Sequence, residues 1–324
     1  MARIIDIDAP VPIFDANYWI GNGKKFPKIS EIPAEVSTTC NNILSVPQHV
    51  KEYLPNPQLS VVQFIHQTLP PQSSAIDTTK HSRWFSKVPP SHDVASLMTR
   101  PIPPQNVLNG LNEAFGQQWF DGAQSICDPR FNNGTEHLPL WTLTLWMDLA
   151  RIVRTQAMWR KSEAWLNLKA KQGGEVQEEL EEAESMKKAT TLLSAIGWDA
   201  PVCGLGTSTT ELSKLLSAEW ISDELMDMMM GDLSFRARTS NPNVSPDVKI
   251  GTTLLSQAIV GAARSKDYSK QSAPFLYRYE RAVKMSECSQ LYFPAHVHGN
   301  HWVAINVDFK KREFSYGIVQ SVIE

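Results

Sequence analysis

The stretch SQLYFPAHVHGNHWVAINVDFKKREFSYG, residues 289–317, decides the fold class. Its segments 289–293, 302–308 and 313–316 lean toward a period of two, which predicts strands. The basic triplet Lys310-Lys311-Arg312 lies between the last two and reads as the turn of an antiparallel pair. Residues 294–300 read as a loop. Upstream the period is helical. Trp141, Leu145, Leu149, Ile152 and Val153 recur at helical spacing in a run that starts at Leu138, with Pro139 suited to a first turn, and that Gly173-Gly174 ends. A second helix carries Val176, Leu180, Ala183, Leu193 and Ile196 and stops at Gly197. Its acidic run at 178–184 reads as a solvated face. Ser208-Thr-Thr-Glu211 has the capping-box pattern in front of a short helix. In ISDELMDMMMGDL, residues 221–233, one apolar face holds Ile221, Leu225, Met228 and Met229. Helical patterns follow at 252–264 and 274–285. Helices first and antiparallel strands afterwards predict an α+β chain rather than a doubly wound sheet.

Composition narrows the classes of function. A length of 324 residues allows about two domains. With 20% charged residues and a net charge of −3, the chain is not a charge-rich disordered protein and offers no basic face for nucleic acid. No apolar run approaches the roughly 20 residues of a membrane helix, and the N-terminus lacks the pattern of a signal peptide. Cys40, Cys127, Cys203 and Cys288 are widely scattered, so no disulfide framework is expected. An intracellular protein is expected, nuclear or cytoplasmic. Fourteen of the 21 prolines fall within residues 1–105. That region is therefore expected to be mostly irregular, with Phe14, Tyr18, Trp19, Trp84 and Phe85 as possible anchors.

His296, His298 and His301 form an HxHxxH cluster with Cys288 upstream. Zinc accepts imidazole and thiolate, but no second ligand pair stands at structural-zinc spacing. Neither a metal nor a cofactor is expected. His301 opens a strand backed by a neighbour that ends Tyr316-Gly317, a setting that suits a general base at the rim of a sheet.

Three segments then occur in a telling order. WISDELMDMMM (220–230) precedes by about eighty residues LYFPAHVHGN (291–300) and HWVAINVDFKKREFSYG (301–317). Together they resemble the ubiquitin-like-protein-specific (SUMO) cysteine protease family. Its catalytic domain begins Trp-Leu-Asn/Asp-Asp and a helix. It continues through an apolar strand, a proline, a variable loop, His-Trp and a strand, to a last strand ending Tyr-(Gly)-Asp-Ser. The resemblance covers residues 205–317. The expected organisation is then a proline-rich region at 1–105, a helical region at 106–204 with no assigned role, a partial protease domain at 205–317 and a non-matching tail at 318–324.

The resemblance implies a papain-like, adenovirus-protease-like α+β fold. It also implies a cysteine-type peptidase that cleaves after Gly-Gly, for which SUMO or another ubiquitin-like protein is the partner. By position His301 matches the general base, and Trp302 and Trp220 match the two indoles that pinch the diglycine. Asp223 matches an acidic position that meets a basic residue of the partner. Two facing flat rings leave a slot that residues without a Cβ can thread. Where the family has Asp after Tyr-Gly, however, this sequence has Ile318, and the family's Gln and Asp-Cys-Gly motifs have no counterpart. All four cysteines precede His301, and Gln320 has the residue type of the oxyanion donor without its context. The expectation is a C-terminally truncated domain, inactive as it stands. Two alternatives are a noncatalytic module that binds a ubiquitin-like protein and a helical interaction protein.

Overall fold

The computed structural model describes residues 20–21, 34–73, 80–91, 94–131, 134–171, 177–202, 207–216, 220–239, 247–266, 274–297 and 301–318. Trp19, Val176, Cys203, His298 and Gln320, which figure in the sequence reading, lie outside the described residues. The chain divides into two compact units, Met1–Arg160 with Leu193–Ile196, and Lys161–Leu192 with Gly197–Glu324.

The first unit contains α1 (Ala34–Leu44), α2 (Gln48–Lys51), α3 (Val61–Ile65), α4 (Gln105–Phe120) and the first part of α5 (Thr142–Lys171). Strands β1 (Phe85–Ser86), β2 (Ser125–Ile126) and β3 (Leu138–Pro139) form a short antiparallel sheet. Pro139 therefore lies in a strand, and α5 starts after it. Helix α3 opens with a complete capping box: Ser60 Oγ accepts from the Gln63 N–H, and Gln63 Oε1 accepts from the Ser60 N–H. Prolines 103 and 104 lead into α4, where Val107, Leu108, Leu111, Phe115 and Trp119 share a buried face. The proline-rich stretch contributes Val50, Trp84, Leu97 and Ile102 to the core that also holds Leu108, Phe120 and Trp146. Trp84 meets Trp146 edge-on, with ring centroids 6.0 Å apart.

In the second unit, α6 (Gln177–Leu193), the small hairpin β4 (Pro201–Val202) and β5 (Thr207–Ser208), and the short α7 (Leu212–Leu215) precede α8 (Asp223–Thr239). Residues 209–211 form a 3-10 turn in front of α7. Ser208 caps that turn by accepting from the Thr210 N–H, but Glu211 does not close a capping box, because its carboxylate is used elsewhere. On α8 the buried pair is Leu225 and Met226, whereas Met229 is exposed. Then come β6 (Val248–Ile250), α9 (Thr253–Ser265), α10 (Pro274–Lys284), β7 (Gln290–Val297), β8 (His301–Asp308) and β9 (Glu313–Ile318).

The sheet order is β6-β7-β8-β9. The expected antiparallel pairs β7–β8 and β8–β9 are present, and the unit is α+β. Two features differ from the sequence reading. Strand β6 pairs parallel to β7, with α9 and α10 in the crossover. Strand β7 also runs through Val297, so Pro294–Val297 is ladder and not loop; Pro294 takes part opposite Ala304. A three-residue β6 carries too short a pattern to show in the sequence.

One face of the sheet packs on the crossover helices. Leu291, Phe293, Ile305 and Val307 meet Leu255 of α9 and Phe275, Leu276, Tyr279, Ala282 and Val283 of α10. Gly251, whose N–H donates to the Tyr292 carbonyl at 2.7 Å, permits that approach: a Cβ there would lie 2.7 Å from Leu255 and 3.2 Å from Phe293. Helix α9 takes its N-terminal cap from α8, where Asp227 Oδ1 accepts from the Thr253 N–H at 2.7 Å. The β8–β9 turn is organised by Asp308. Its carboxylate accepts from the Lys311 N–H at 2.9 Å and from Gln290 Nε2 at 3.2 Å, and these bonds hold its pKa below the usual aspartate value.

Candidate active site

His301 is the first residue of β8, directly opposite Val297 at the end of β7. Side chains alternate along a strand and match across the ladder, so His301 shares a face with Ala295 and Val303. Trp302 is on the other face, opposite His296. The His296 and Trp302 rings lie 4.7 Å apart at an interplanar angle of 33°. His296, read from the sequence as a candidate zinc ligand, thus backs an indole.

The same indole reaches across the unit. Trp302 Nε1 donates to the Ile221 carbonyl at 3.0 Å, a contact between residues 81 positions apart. It places the backbone just after Trp220 against the start of β8. Trp220 itself is 64% exposed. Ser222 accepts from the Leu225 N–H at 3.4 Å and so caps α8. Asp223 and Glu224 occupy the first turn, where carboxylates are favoured by the helix dipole. The backbone N–H at 224 holds the Glu224 pKa down. Asp223, expected to face a partner's basic residue, is half-buried, and its Oδ2 accepts from Gln257 Nε2 at 2.8 Å.

Residues 219–322 match the profile of the Ulp1 protease family, C-terminal catalytic domain. The match begins after the 205 expected from the motifs and runs past Gly317. A solved structure described as "SUMO protease Ulp1 with the catalytic cysteine oxidized to a sulfinic acid" is similar over 36% of this chain and 46% of its own, at 14% identity and a TM-score of 0.26. The chain thus spans less than half of that protein, and the likeness is too slight to fix a fold. No curated protein matches the chain.

Set against the family pattern, the register shows what surrounds His301. Position 318, on the strand beside β8, pairs with Val303. Val303 is two residues from His301 on the same face of β8. The residue at 318 is isoleucine, which carries no acceptor. The His301 ring makes no hydrogen bond to a described residue. Cys288 lies at the opposite end of the sheet. It precedes β7 by two residues, and nine residues, roughly 30 Å of extended strand, separate it from Val297. Cys288 is buried, and burial raises its thiol pKa, the reverse of what a nucleophile needs.

His296, Gln257 and the Ile221 carbonyl were missed in the sequence. The first was legible in principle. Had β7 been extended to Val297, the hairpin register would have set 296 opposite 302. The carbonyl has no signature, because any residue type offers one. Among the described residues no helix is long and apolar enough to cross a membrane.

Proposed function

We propose that residues 205–317 form the substrate-recognising part of a cysteine-type peptidase domain of papain-like, adenovirus-protease-like architecture that acts on SUMO or another ubiquitin-like protein ending in Gly-Gly. Trp220 and Trp302 line the slot for the diglycine, and His301 stands at the base position. Asp223 lies at the rim, steadied by Gln257. The observation that carries this reading is the hydrogen bond from the Trp302 indole to the Ile221 carbonyl, which joins the two tryptophan motifs in one place.

The 324-residue polypeptide binds such a partner without cleaving it. A nucleophile–base–orienter system needs all three groups, and loss of the orienter alone costs about 10⁴ in rate in the serine-protease template. Here position 318 is isoleucine, and Cys288 is at the wrong end of the sheet. The test combines mature SUMO with a ubiquitin-like probe that carries an electrophile after Gly-Gly. SUMO should bind, and the probe should leave this polypeptide unlabelled. A covalent adduct on any of its cysteines would overturn the inactive reading. Failure of both mature SUMO and the ubiquitin-like probe to bind would overturn the recognition reading.

A further inference from the structure

The short segment in front of the family match is tied to this site. Its 3-10 turn, Thr209–Glu211, is held from several sides. Thr209 Oγ1 donates to the Gly197 carbonyl at 2.5 Å and accepts from the Ala200 N–H at 3.0 Å. The Thr209 N–H donates to the Ala200 carbonyl at 2.8 Å, and Thr210 Oγ1 bonds to Asp199 at 2.9 Å. Just beyond, the buried Ser213 gives its carbonyl to Ser162 Oγ at 2.8 Å. A turn fixed by so many bonds makes a firm anchor.

Glu211 projects from that anchor. Its Oε2 accepts from Ser222 Oγ at 3.1 Å and pairs with Lys214 Nζ at 2.5 Å, with both members of the ion pair about a quarter exposed. Ser222 is the residue that caps α8, next to Ile221, whose carbonyl receives Trp302. The exposed Trp220 indole has little packing of its own to orient it, so its direction depends on the backbone at 221–222. That backbone is held at two points, the Ile221 carbonyl and the Ser222 hydroxyl.

We propose that Glu211, outside the segment matched to the family, is a positioning residue that sets the pose of Trp220 through Ser222. This rests on the reading of Trp220 as part of the recognition slot. The Lys214 pair holds the carboxylate beside the serine hydroxyl.

The test is a double-mutant cycle in the full 324-residue chain, with binding of fluorescently labelled mature SUMO as the readout and a thermal melt as the folding control. Glu211→Ala should weaken binding about five- to tenfold when Trp220 is present and less than about twofold in a Trp220→Ala background, because the lost hydrogen bond acts only through the indole. Glu211→Gln keeps an acceptor for Ser222 and should stay within about twofold of the parent. Ser222→Ala should reproduce Glu211→Ala, and it replaces that variant if Glu211→Ala does not fold. Equal losses in both backgrounds, or none from Glu211→Ala and Ser222→Ala while Trp220→Ala weakens binding, would overturn the role of Glu211 and leave the slot standing. No loss from Trp220→Ala itself would remove the slot and the proposal together.

Discussion

In the unit built on residues 1–160, Trp84, Trp119, Trp146 and Trp159 are each at most 3% exposed, whereas in the unit that carries β6–β9 Trp220 is 64% exposed and Trp302 is half-buried. Buried indoles serve volume: Trp84 stacks edge-on against Trp146, and the Arg130 guanidinium lies 5.6 Å over its ring. Trp198 of the second unit is buried in the same way, but Trp220 and Trp302 have other ties. Trp302 is bonded to a backbone carbonyl and backed by a histidine, and Trp220 stands on a tethered backbone. The same residue type thus makes a core in one place and a rim in the other. What separates them is how much of the ring other side chains cover.

Trp84→Ala should destabilise the protein by about 3–5 kcal/mol, since it empties a fully buried site, and a denaturant titration would read it. Trp220→Ala should change stability by no more than about 0.5 kcal/mol while weakening SUMO binding about tenfold or more. If Trp220→Ala instead lowered stability by a core-like amount, Trp220 would be packing and the contrast between the units would fail.

A smaller effect is expected where His296 backs Trp302. His296→Ala removes the ring at 4.7 Å and should cost about 0.5–1.5 kcal/mol, whereas His296→Phe, which keeps a flat partner, should recover most of it. Equal losses in the two variants would show that the stack does not hold the indole.

The least effect is expected at the β8–β9 turn, in a pH titration of the melting temperature. The folded-state pKa of Asp308 is depressed, so between that value and the unfolded value of about 3.9 the unfolded chain binds more protons. The stability from Asp308 is therefore complete above the unfolded pKa and is lost as pH falls through the folded one. Asp308→Asn should flatten that part of the acid limb. An unchanged acid slope in the variant would assign the turn's stability to other groups.

Much of the second unit was legible before folding was considered. The period-two runs became β7, β8 and β9, and the helical spacing found α9 and α10 to within a residue and α8 as far as Leu233. The failures have a common cause. Pro294 suggested a loop, yet a proline is tolerated in a strand where its missing N–H is not needed. Glu211 looked like a capping-box acid, yet Ser222, eleven positions away, takes its carboxylate. Met229 looked like core and Met226 did not, because the helix face that is covered depends on what docks against it. In the first unit, proline density obscured the fact that short helices and a two-residue strand can carry a buried Trp84.

By itself the sequence determined that His301 and Trp302 open a strand, that an antiparallel neighbour follows, and that a Trp220 motif comes about eighty residues earlier. These are local properties, set by alternation and spacing along a few turns of chain. Only the tertiary structure decided that the Trp302 indole meets the Ile221 carbonyl, that His296 backs it, and that Cys288 is at the far end of the sheet from His301. Those outcomes depend on ladder register and on a parallel crossover through β6, α9 and α10. Such pairings are fixed by burial across the whole unit, and no short window of residues contains them.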